Sequence, residues 1–109
     1  HAGDLNWWTW KGETEEEYRD MTLRFQNEIG RIEGRHFDAA FVPLDPRQEE
    51  RYALGFDYFM RHTDTDAVFP MHFWKDYSVT ERLLGEEISA PYRDRIMRIE
   101  REGQEFWLP

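Results

Sequence analysis

The sequence predicts an α/β layer in which short, largely parallel strands are joined by helices. Two observations carry this. Apolar residues recur at helical spacing in some stretches and form short continuous runs in others. The two kinds of stretch alternate, in the order strand, helix, strand, helix, strand, helix, which is the pattern of a parallel sheet with right-handed crossovers.

The first strand is expected to end in His1-Ala2-Gly3, just ahead of Asp4. Because the chain opens at His1 without a Met, this start reads as a truncation or processing point. Residues 14–33 come next as a helix, with Tyr18, Met21, Phe25, Ile29 and Ile32 on one stripe at spacings of three and four. Thr14 and Glu17 make a capping box, and Gly34 stands where a helix stop is expected. Residues 37–44, Phe-Asp-Ala-Ala-Phe-Val-Pro-Leu, suit a mostly buried strand. Asp45 as cap and Pro46 as first helical residue open the next helix, expected over 46–62 with Tyr52, Phe56 and Phe59 inward. A third apolar run, 67–71, is the next strand, and 78–84 reads as a short helix with Ser78 and Glu81 as its capping pair. The last helix is expected over 91–102, started by Pro91, lined by Tyr92, Ile96 and Ile99, and stopped by Gly103. Glu105-Phe106-Trp107-Leu108 then suits an edge strand. With no repeat, linker or low-complexity stretch, residues 1–109 read as one unit.

Composition narrows the function. At 109 residues the chain has room for one small core. Its formal charge of −9 repels phosphate backbones and anionic lipid, so neither nucleic acid nor a membrane surface is an expected partner. No apolar run approaches the roughly 20 residues needed to span a bilayer, and nothing at the start reads as a signal peptide. Zero Cys is compatible with the cytoplasm, the expected location, and leaves any metal to His and carboxylate. The aromatic share of 17% is high for so hydrophilic a chain, and most of these rings are expected in the core.

The candidate site comes from the residues at the strand ends. Asp4, Asp45 and His72 each stand directly after one of the three expected strands, and in open α/β sheets ligands sit at the carboxyl ends of the strands. Asp4 is also explained by turn formation. Asp45 is explained well enough as a helix cap. His72 lies between Met71 and Phe73-Trp74, a dry wall that suits a neutral imidazole ligand. Trp7, Trp8, Trp10 and Trp74 are candidates to wall a pocket, with core packing the alternative for at least half of them. His36, ahead of a strand, reads as exposed. His62, near a helix C-terminus, reads as structural.

Three segments, His1-Ala-Gly-Asp-Leu-Asn-Trp-Trp-Thr-Trp10, Phe41-Val-Pro-Leu-Asp-Pro-Arg47 and Phe69-Pro-Met-His-Phe-Trp74, resemble the C-terminal half of metallo-β-lactamase-fold hydrolases, in the group of ascorbate-6-phosphate lactonase-like proteins. The resemblance covers nearly the whole chain. It implies an αββα sandwich, of which this chain would be one half, a single sheet with flanking helices. It implies Asp4 as the carboxylate bridging two metals and His72 as a terminal ligand of one of them. The metal would be zinc, with manganese or iron also compatible with such ligands. The family's His-x-His-x-Asp-His motif and a further His are absent, so two ligands remain where a catalytic zinc ordinarily takes three plus water.

The resemblance therefore implies part of a metal-dependent hydrolase of an ester, lactone or phosphoester, inactive by itself. Its expected partners are the N-terminal half or a second copy of the chain, and a small-molecule substrate. Asp45, Trp7 and Trp74 would be pocket residues. The alternative is a free-standing acidic, aromatic-rich protein-interaction module without catalytic activity.

Overall fold

The computed structural model describes residues 5–71, 73 and 76–98. The first helix, α1 (Glu15–Gly30), starts where Thr14 caps it, with the Thr14 hydroxyl accepting from the Glu17 N–H and the Glu17 carboxylate reaching back. Phe25 and Ile29 are its buried residues. The helix ends at Gly30, and the chain turns through Gly34, whose φ of +75° is the left-handed conformation that glycine tolerates. The Gly34 N–H donates to the His62 carbonyl at 2.8 Å, tying this turn to the end of a later helix.

Strand β1 (His36–Pro43) and strand β2 (Asp64–Met71) pair in parallel, in a register running from His36↔Asp64 to Pro43↔Met71. Both strands begin earlier than their apolar runs. The polar residues at their starts are paired across the ladder rather than left in loops. Ala40, Val42 and Val68 join the core, which also takes in Trp7, Phe25, Ile29, Phe56 and Leu83. Phe41 and Phe69, partners in the register, stack with ring centroids 4.9 Å apart.

Three expectations are corrected. The helix expected over 46–62 is two pieces, a 3-10 turn at Pro46–Arg51 and helix α2 (Leu54–His62). Glu49 breaks the first piece with a φ of +55°. Gln48 and Tyr52, on either side of this break, are both buried but reach different partners. Gln48 donates to the Trp7 and Thr9 carbonyls, while the Tyr52 hydroxyl donates to Glu86 at 2.7 Å. On one regular helix, residues four apart would lie over the same patch. The helix expected from residue 91 is also replaced: Arg93–Arg95 is a single 3-10 turn, after which Ile96 is extended and bridges to Val68. The Met97 N–H donates to the Val68 carbonyl at 2.9 Å, so the open edge of β2 satisfies backbone groups that a helix would have satisfied locally. Helix α3 (Ser78–Leu84) stands where expected, although Tyr77 rather than Ser78 is its cap and no side chain caps it. The strand expected at residues 1–3 and the edge strand expected at 105–108 lie outside the described residues.

The described chain is thus a mixed α/β domain with helices around a two-stranded parallel sheet. Among the described residues no helix is long and apolar enough to cross a membrane.

Candidate functional site

Of the residues expected to carry the site, Asp4, His72 and Trp74 lie outside the described residues. Next to them in sequence, Leu5, Met71 and Phe73 are described. β1 and β2 end side by side, and the Leu44 N–H donates to the Met71 carbonyl at 2.8 Å. Asp45 therefore leaves the sheet at the same edge as Met71, the residue before His72. The segment after Asp4 reaches this edge through Gln48. That side chain is buried and donates from Nε2 to the carbonyls of Trp7 (2.9 Å) and Thr9 (3.3 Å), while its Oε1 accepts from Asn6 Nδ2 at 2.7 Å. Gln48 is itself held by its N–H to the Asp45 carbonyl at 3.1 Å. Arg51 adds a second tie, donating to the Thr9 hydroxyl, the Trp10 carbonyl and the Glu13 carboxylate.

Asp45 is fully buried and acts as a cap. Oδ1 accepts from the Arg47 N–H at 2.9 Å, and the guanidinium of Arg47 donates to both oxygens at 2.7–3.1 Å. The carboxylate beside it raises the pKa of Arg47 and keeps that cation firmly charged. With its oxygens occupied in this way, Asp45 supports the edge rather than offering a free ligand atom.

Trp7 is in the core. It stacks on Phe25 at 5.8 Å, meets Tyr58 edge-on at 5.7 Å and donates from Nε1 to the Thr22 hydroxyl at 2.9 Å. Its part in a pocket would be to anchor the segment that leads from Asp4. Trp8 and Trp10 stack on each other at 5.9 Å and line a shallow groove with Glu13, Glu17 and Arg24. A larger open groove of about 510 Å³ runs along α1, between Tyr18, Leu23 and Arg51, and of the described site residues neither Asp45 nor Trp7 lines it.

His62 is structural, as its position suggests: Nδ1 lies 2.7 Å from the Tyr58 carbonyl and the ring stacks on Tyr58 at 3.8 Å. His36 is exposed but not idle. Its Nδ1 lies 2.9 Å from Asp64 Oδ2, and its Nε2 lies 3.1 Å from Asp38 Oδ1 and 3.3 Å from Asp66 Oδ2. Hydrogen bonds to Asp64 and then Asp38, with the charge of Asp66, raise its pKa above the usual histidine value. The sequence does hold a signal for this cluster, His-x-Asp at 36–38 and Asp-x-Asp at 64–66, but only the parallel register brings the two pairs together. Gln48 carries no such signal, since it is one polar residue in the charged run Arg47-Gln-Glu-Glu-Arg51.

No family model, curated protein or solved structure matches the chain.

Proposed function

We propose that this chain is the part of a metal-dependent hydrolase that contributes Asp4 as a bridging carboxylate and His72 as a terminal ligand to a dinuclear, zinc-type centre acting on an ester, lactone or phosphoester. One observation supports the reading above the others: the segment after Asp4, the end of β1 and the end of β2 meet at one sheet edge through Asn6, Gln48, Leu44 and Met71. Asp4 and His72 adjoin these segments in sequence, and this supports reading them as ligands of one centre. A metal pair held there would supply activation of water and stabilisation of charge on the substrate oxygen. The chain's own contribution is to hold Asp4 and His72. Gln48 fixes the backbone after Asp4, the Asp45–Arg47 pair stiffens the turn between them, and the Trp7 anchor limits drift of the whole segment.

The remaining ligands, a His-x-His-x-Asp-His segment, would come from the N-terminal half as the partner. The test is metal content by elemental analysis alongside turnover, in protein carrying that segment. Asp4→Ala is expected to abolish turnover and His72→Ala to empty mainly one of two metal positions, and the present chain alone is expected to show no turnover above background. An Asp4→Ala protein with two tightly held ions and normal turnover would overturn the proposal.

A further inference from the structure

The opposite end of the strand pair carries a second arrangement of ligand-type side chains. His36 and Asp38 on β1, and Asp64 and Asp66 on β2, are alternate residues at the strand starts. His36 pairs with Asp64, and Asp38, between the Phe37↔Thr65 and Ala39↔Ala67 pairs, stands opposite Asp66. One ring nitrogen of His36 and one carboxylate oxygen each from Asp64 and Asp66 lie within 4.8 Å of one another.

We propose that His36, Asp64 and Asp66, with Asp38 beside them, form a divalent-cation site at the start of the strand pair, distinct from the edge that carries Asp45. Three features carry the inference beyond the presence of acidic residues. The donor set is mixed, imidazole nitrogen with carboxylate oxygen, which suits zinc or manganese. The donors stand on two hydrogen-bonded strands in fixed register, so their spacing is set by the ladder rather than by a loop. The charge is also unbalanced: three carboxylates face one imidazole, and like charges opposite each other on a ladder are destabilising. Both ring nitrogens face carboxylate oxygens, so only the imidazolium satisfies them together, and even then the cluster keeps an excess of negative charge. A divalent ion supplies what a single proton cannot. It takes one ring nitrogen after the imidazolium proton leaves to solvent, and water completes its shell at this exposed position. Binding therefore releases a proton and weakens as pH falls.

The experiment is calorimetric titration of the whole chain with Zn²⁺, in buffers of different ionisation enthalpy, with the His36 ring followed by NMR. The proposal expects saturable binding with proton release and a perturbed His36 ring. His36→Ala and Asp66→Asn should each weaken that binding about tenfold or more, while His72→Ala and Asp4→Asn leave it in place. Because His36 and Asp66 are exposed, both variants are expected to fold, and either alone reads the site. Zn²⁺ binding unchanged in both variants, binding lost only with His72 or Asp4, or an unperturbed His36 ring would each overturn the proposal. Since the two sites use different residues, loss of this one leaves the hydrolase reading untouched.

Discussion

Gly55 sits where α2 meets the segment after Asp4, and Gly55→Ala is a sharp test of that contact. A Cβ built there would lie 2.0 Å from Asn6 Oδ1, 2.7 Å from the Trp7 backbone nitrogen and 3.1 Å from Asn6 Cγ. The Asn6 side chain cannot simply swing away, because its amide donates to Gln48 at 2.7 Å in a buried setting. Nor can the Trp7 nitrogen, which belongs to a backbone held by Gln48 and by a stacked indole. Overpacking of this kind costs about 1–3 kcal/mol, and loss of the buried amide bond adds about 1–3 kcal/mol where it occurs. Against this, replacing glycine by alanine in a helix gains at most about 1 kcal/mol. With the amide bond lost the clash wins, for a net loss of about 1–5 kcal/mol. Gly30, at the end of α1, is the internal control: no atom lies within 4 Å of its virtual Cβ, so Gly30→Ala should be neutral or stabilising. Urea unfolding followed by tryptophan fluorescence reads both. A Gly55→Ala protein as stable as Gly30→Ala would refute the docking of residues 6–9 onto α2, and with it the convergence at the sheet edge.

Asp45→Asn should lower stability by about 1–3 kcal/mol, because a buried group that accepts from Arg47 at several points becomes one with a donor facing that cation. The urea midpoint measures this, and an unchanged midpoint would mean that the cap contributes nothing. For His36 the folded pKa is raised, so its stabilising contribution is fully present below the unfolded value near 6.5 and is lost as pH rises through the folded value. In chelator-treated protein, thermal unfolding across that window should show a fall in stability with rising pH that His36→Gln removes. A wild-type slope identical to that of the variant would show that the carboxylates around the ring do not act on it.

Much of the architecture is legible in local pattern. The Thr14–Glu17 box and the stripe through Phe25 and Ile29 specify α1 by spacing alone, and the short runs 37–44 and 67–71 point to strands by composition. These are short-range signals, carried by residues a few positions apart. The features that local pattern misses involve partners far apart in the chain. The parallel register aligns His36 with Asp64, and no local rule sets which residues of two separate strands face each other. The edge of β2 draws Ile96 and Met97 out of an expected helix, because the Val68 carbonyl gives the Met97 N–H a partner that local sequence does not reveal. Gln48 is buried although it lies in a charged run, because the backbone after Asp4 leaves carbonyls that need a donor. Residue order thus set most of the helix and strand segments and the side chains able to serve as ligands. Their juxtaposition waited on packing, since a side chain's partners depend on the path of the whole chain between them.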